Sequence, residues 1–94
     1  MCIRDSYVTY SQVVQAEGLK FGIEHYRRRW PHCAGALVWQ LNEPWPGMTW
    51  SLLDHDLGAK PGYYATARAF APALSILRLT DDSLEVWVLS LIHI

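Results

Sequence analysis

The chain has 94 residues, with eight Lys and Arg against nine Asp and Glu for a formal charge of −1. That length allows one small domain at most, and 18% charged against 51% apolar residues excludes a disordered or low-complexity chain. The near-neutral balance removes the basic face that binds nucleic-acid phosphates, no stretch of about 18 apolar residues is present to span a membrane, and Cys2 and Cys33 are too few for a disulfide framework.

The two ends read as one DNA sequence in opposite senses. Met1-Cys2-Ile3-Arg4-Asp5-Ser6 back-translates as ATG TGT ATA AGA GAC AG, and its reverse complement encodes Leu89-Ser90-Leu91-Ile92-His93-Ile94. That DNA looks like the transposase adapter used to build sequencing libraries. Residues 1–6 and 89–94 are therefore expected to be adapter translation and are set aside. Residues 7–88 are then an internal segment of a longer protein. A missing leader says nothing about location on that reading, and neither compartment nor oligomeric state is legible.

Residues 7–29 contain no proline and read as a helix. Ala16, Leu19, Ile23, Tyr26 and Trp30 recur at steps of three and four as one apolar stripe. Arg27, Arg28 and Arg29 fill its last turn, where cations suit the negative end of the helix dipole and read as a capped, solvated end; Pro31 stops it. Residues 34–41 form a short apolar run without alternation, which predicts a strand buried on both faces, as in a parallel sheet. Residues 42–56 are a loop opened by Pro44, Pro46 and Gly47. In parallel α/β folds, ligands bind in loops that follow the C-terminal ends of strands. Five Trp in so short a chain demand either a dense core or a ligand platform, and Trp39, Trp45 and Trp50 cluster here.

Residues 61–71 predict a second helix, with Pro61 early and Tyr63, Tyr64, Ala67, Phe70 and Ala71 as its apolar face. After Pro72, residues 74–79, the polar Thr80-Asp81-Asp82-Ser83 and residues 84–88 read as strand, turn and strand. The order is an αβα slice of an α/β fold followed by a hairpin that begins another domain near residues 72–73. His25, His32 and His55 lack the spacing of metal ligands. Asp54-His55-Asp56 reads as a turn and helix start, and Cys33 as a small core residue.

Trp39-Gln40-Leu41-Asn42-Glu43-Pro44-Trp45-Pro46, Trp50-Ser51, Asp54, Lys60, Tyr63-Tyr64 and Pro72 resemble the end of the catalytic barrel of family 2 glycoside hydrolases, most similarly the β-mannosidase type. Gln15-Ala16-Glu17-Gly18-Leu19-Lys20 and Glu24-His25-Tyr26-Arg27-Arg28 also fit, so the resemblance covers residues 7–88. Departures fall at Glu43, where Asp is more usual, and at Leu57-Gly58-Ala59, where Gly-Arg-Trp is usual. The resemblance implies the C-terminal part of a (β/α)8 TIM barrel, namely helix seven, strand eight and helix eight over residues 7–72. The start of a β-sandwich would follow over residues 73–88. A full barrel takes ~250 residues, so the segment alone is not expected to fold stably.

The implied parent is a retaining glycosidase acting on terminal β-linked sugars, β-mannosides first. Another specificity of the same family (β-galactosidase, β-glucuronidase or exo-glucosaminidase), a non-catalytic sugar-binding relative, and a structural fragment with core Trp residues stay open. Retaining chemistry needs two carboxyl groups ~5–5.5 Å apart. In the family both are glutamates on strands four and seven, which places them upstream of Tyr7 and leaves no catalytic residue in this chain. Trp39 is expected to stack beneath the sugar, and Asn42 offers a donor and an acceptor to a hydroxyl. Glu43 is expected to support the loop by accepting hydrogen bonds, with Trp45 and Trp50 packing beneath it. No cofactor or metal is expected; the partner is a carbohydrate, not nucleic acid or membrane.

Overall fold

In the computed structural model, which describes residues 3–90, helix α1 spans Ile3–Arg28, helix α2 Pro61–Ala69, and an antiparallel hairpin pairs β1 (Ala73–Leu79) with β2 (Leu84–Ser90). Cys2 and His93 lie outside the described residues. α1 begins at Ile3 rather than Tyr7, because nothing before Gly18 breaks it. Asp5 in its first turn and His25, Arg27 and Arg28 in its last suit the dipole at both ends. Of the apolar stripe, Ile23 is buried and Ala16 and Leu19 are half-buried, but Tyr26 and Trp30 stay exposed.

α2 turns a different face inward from the one its aromatic residues predict. Gly62, Ala65, Thr66 and Ala69 are buried at i, i+3, i+4 and i+7, while Tyr63 and Tyr64 point outward, edge to face at 5.4 Å between ring centroids. The reason is the close approach of α1. A Cβ at Gly62 would stand 2.9 Å from Gln15 Oε1 and 3.3 Å from Leu19 Cδ1. Small residues mark the contact, and the large ones are left for the outside.

The helix also ends earlier than residue 71. Arg27 Nη1 donates to the carbonyls of Ala69 at 2.7 Å and Ala71 at 2.8 Å. Arg27 therefore caps a neighbouring helix; it is not part of a solvated end. This satisfies carbonyls that a helix C-terminus leaves without intrahelical donors.

The largest difference from expectation is at residues 34–41, which take no regular secondary structure. A strand exists only through a partner's ladder of hydrogen bonds, and among the described residues only the end of the segment, Gln40 and Leu41, accepts such bonds, from Leu52 and Leu53. Leu37 is fully exposed and nothing stands within 4 Å of a Cβ built on Gly35. Among the described residues the sheet has two strands, both in the hairpin.

The hairpin follows its sequence pattern, extended by one residue at the start and two at the end. Thr80 Oγ1 donates to Ser83 O at 2.8 Å and accepts from Ser83 N at 3.2 Å, closing the turn. Ile76 sits opposite Trp87 and is buried. Arg78 and Glu85 are paired across the strands at 3.5 Å.

Total accessible surface is 7543 Å², against roughly 5,500 Å² for a compact protein of this mass. The excess is apolar: Trp30, Leu37, Trp39, Leu41 and the outer faces of both strands all meet solvent. The core is Ile23, Leu52, Ala65, Ala69 and Ile76. Gly62→Val is expected to destabilise the helix pair by about 1–3 kcal/mol through overpacking, read as a fall in thermal midpoint. Gly62→Ala should cost less, because the groups that have to move are the ends of the Gln15 and Leu19 side chains.

Candidate functional site

Residues 39–60 are organised by backbone hydrogen bonds before any side chain acts. Leu52 N donates to Gln40 O at 3.0 Å and Leu53 N to Leu41 O at 2.7 Å, while Lys60 N donates to Leu52 O at 3.0 Å. Leu52 is thus tied on one side to the end of the 34–41 segment and on the other to the start of α2. Asp54 closes the excursion between them. Its Oδ1 accepts from Asp56 N at 2.9 Å and Gly58 N at 2.7 Å, and its own N–H donates to Gly58 O at 2.9 Å.

Leu57 adopts φ 64°, a strained position for a residue with a Cβ. At Gly58 a Cβ would stand 2.8 Å from Asp54 Oδ2, so any larger residue there would displace the Asp54 carboxylate that closes the turn. The Asp54 region is a turn, as expected, but it does not start the helix. Lys60 occupies that N-cap position, without a side-chain cap bond.

Inside this frame lies a buried polar cluster. Glu43 is 4% exposed and Ser51 0%. Ser51 Oγ donates to Glu43 Oε1 at 2.8 Å, and Lys60 Nζ donates to the same oxygen at 2.7 Å and to Ser51 Oγ at 3.1 Å. The hydroxyls of Thr49 and Ser51 stand 2.9 Å apart. From α1, Gln15 Nε2 donates to Trp50 O at 3.0 Å and Ser51 O at 3.1 Å. The Lys60 ammonium, then the Ser51 hydroxyl, outweigh the cost of burial and bring the Glu43 carboxyl from 4.5 down to about 2.

The aromatic residues sit outside this cluster. Trp39 is 72% exposed, at the point where the 34–41 segment enters the braced loop, and its peptide bond to Gln40 is cis. Asn42, next to the buried Glu43, is exposed. Trp45 and Trp50, expected to pack beneath the loop, are 68% and 66% exposed, because the space beneath is filled by Glu43, Ser51 and Lys60. The structure therefore joins Glu43 to residues that the sequence reading left without a role: Ser51, Lys60, Thr49 and Gln15. The available signal was a lone lysine directly before the helix-initiating proline, the nearest downstream cation to a glutamate in an apolar loop.

A cleft of about 530 Å³ lies elsewhere, lined by Tyr26, Trp30, Phe70 and Val88 among others and by none of residues 39–60. Cys33, half-buried, is a free thiol that donates to Gly35 O. Among the described residues no group of three or more His, Cys, Asp or Glu converges, and no helix is long and apolar enough to cross a membrane.

No family model matches the chain. It is 40% identical over 102 residues to β-mannosidase B of Aspergillus niger, covering 92% of this chain and 12% of that protein. It is 48% identical over 82 residues to β-mannosidase B of Aspergillus flavus, covering 83% of this chain and 10% of that protein. In three dimensions it is similar to the β-D-mannosidase of Dictyoglomus thermophilum, with a TM-score of 0.85 and 36% identity. That match covers 92% of this chain and 11% of the other. The chain spans about a tenth of the length of the proteins it matches.

Glu43 makes the cluster acid-sensitive in a defined window. Its folded pKa lies below the ordinary value, so its stabilising contribution is complete above about pH 4.5 and is lost as pH falls through about 2. Thermal midpoints of the wild type and Glu43→Gln, followed from pH 7 to 2, should differ by a constant amount above pH 5 and converge toward pH 2. A difference that does not change with pH would contradict the ion pair.

Proposed function

Because the chain is of β-mannosidase type in sequence and in fold, we propose that it forms the C-terminal part of the catalytic (β/α)8 barrel of a family 2 glycoside hydrolase. The parent hydrolyses terminal β-mannosides with retention. Residues 7–72 supply helix seven, strand eight and helix eight, residues 73–88 begin a β-sandwich, and residues 1–6 and 89–94 are adapter translation. Residues 34–41, unladdered here, become strand eight once flanked by strands one and seven. Overlapping reads from the same source should run past residues 7 and 88 with different sequence and disclose both catalytic glutamates upstream. Reads that carry either hexapeptide as genomic sequence would overturn the adapter assignment.

The observation that carries the site assignment is an exposed Trp39 on a backbone fixed immediately behind it, with Gln40 O and Leu41 O both bonded. Sugar rings present C–H faces that stack on such a surface. In a barrel the C-terminal end of a strand is where the site is built. Asn42 supplies polar contact to a hydroxyl. Glu43 supports and does not react. A nucleophile or acid has to reach the sugar, whereas this carboxylate is buried and engaged by Lys60 and Ser51. The reacting carboxyl pair comes from the upstream strands. Trp45 and Trp50 shape the rim of the loop.

Trp39→Ala in the full-length parent should leave a folded protein whose kcat/KM on an aryl β-mannoside falls by more than about tenfold, or ~1.4 kcal/mol. A ring that stacks better on the flattened, oxocarbenium-like sugar than on the ground state lowers kcat as well as binding when removed. A large drop in thermal midpoint with normal turnover in the folded fraction would instead make Trp39 a core residue.

A further inference from the structure

Lys60 lies at the opposite end of the loop from Trp39, at the N-cap of α2, yet its ammonium reaches back under the loop to Glu43 Oε1 at 2.7 Å and Ser51 Oγ at 3.1 Å. We propose that Lys60 is a positioning residue for the sugar site: by clamping Glu43 and Ser51 from below, it fixes the loop segment that presents Trp39 and Asn42. This rests on the reading that residues 39–42 face a sugar.

Three observations carry the role. First, the clamp brings three places on the chain to one point through their side chains, namely the residue after Asn42, the middle of the loop and the N-cap residue of α2. Second, the interior of the loop holds polar groups where an anchor built for stability alone would hold apolar ones; a buried ion pair is often replaceable by well-packed apolar side chains without loss of stability. What the ion pair adds is direction, because Ser51 gives its one proton to Glu43 and accepts from Lys60. Third, the clamp is seated on the helix pair. Gln15 of α1 holds Trp50 O and Ser51 O, and Gln15 is itself packed against Gly62, two residues after Lys60. The groups facing the Glu43 carboxylate are Lys60, Ser51 and Thr49, so no second cation replaces Lys60 when it is removed.

The test compares Lys60→Met, Lys60→Arg and the double variant Glu43→Leu/Lys60→Met in the full-length parent. Each is measured for kcat and KM on an aryl β-mannoside and for thermal midpoint. Lys60→Met should lower kcat/KM by about 10²-fold, the scale of a small misplacement of a positioning group, and should lower the midpoint, since it strands a buried carboxylate. Lys60→Arg should recover activity to within about tenfold of wild type, because the cation returns with altered geometry. The double variant should recover the midpoint and not the turnover, since apolar side chains fill the space without directing the loop.

Turnover that returns together with the midpoint in the double variant would overturn the proposal and leave the cluster as a stability element. So would a Lys60→Met enzyme with unchanged kcat/KM. If Lys60→Met does not fold, the double variant and Lys60→Arg decide. A wild-type parent that hydrolyses no β-glycoside overturns the glycosidase reading, and the positioning role falls with it. That failure is distinct, because every variant is then equally inert.

Discussion

A carboxylate and an ammonium placed out of water hold this chain in shape. Burial of either charge alone is strongly unfavourable, so Glu43 and Lys60 are stable in the interior only together and only with Ser51 satisfying both. Once they meet, the 16 residues between them can no longer wander. The ends of the loop are pinned, Leu52 is held between Gln40 and Lys60, and the excursion at Asp54 closes on itself. The cluster works as an interior for a loop that has almost no hydrophobic one, since Leu52 is its one buried apolar side chain.

The same arrangement explains why large aromatic side chains stand in solvent. Polar groups occupy the space under residues 43–51, so Trp45 and Trp50 are displaced outward, and Trp39 projects from the last irregular residues before the braced backbone. A tryptophan on a rigid mount loses little entropy when a flat apolar ligand face settles on it, which a tryptophan on a mobile loop cannot offer.

Elements governed by local chemistry were legible in the sequence. Pro31 marks the end of α1 and Pro61 and Pro72 the limits of α2 to within a few residues, and two apolar runs separated by the polar Thr80-Asp81-Asp82-Ser83 mark the hairpin. What failed depended on partners distant in sequence. Residues 34–41 carry the composition of a buried strand, but composition supplies no neighbour to pair with. The inward face of α2 was misread because side-chain bulk was taken as the sign of burial, whereas two helices at close range bury glycine and alanine. At the site, Trp39 near the end of the apolar run and Asn42 directly after it were singled out through the family resemblance. The partner of Glu43 was not, because an ion pair formed by tertiary closure has no fixed spacing.

Arg27 has a consequence for mechanics. Its guanidinium grips Ala69 and Ala71 from the end of α1, one residue before Pro72 releases the chain into the hairpin. A proline commonly follows a helix because it cannot continue one. Here the last carbonyls before it are bolted to another helix, and proline removes one backbone rotation besides. The joint is therefore stiff. The direction in which the chain leaves the helix pair is dictated by α1, and torque on the hairpin would be felt along the whole of that helix.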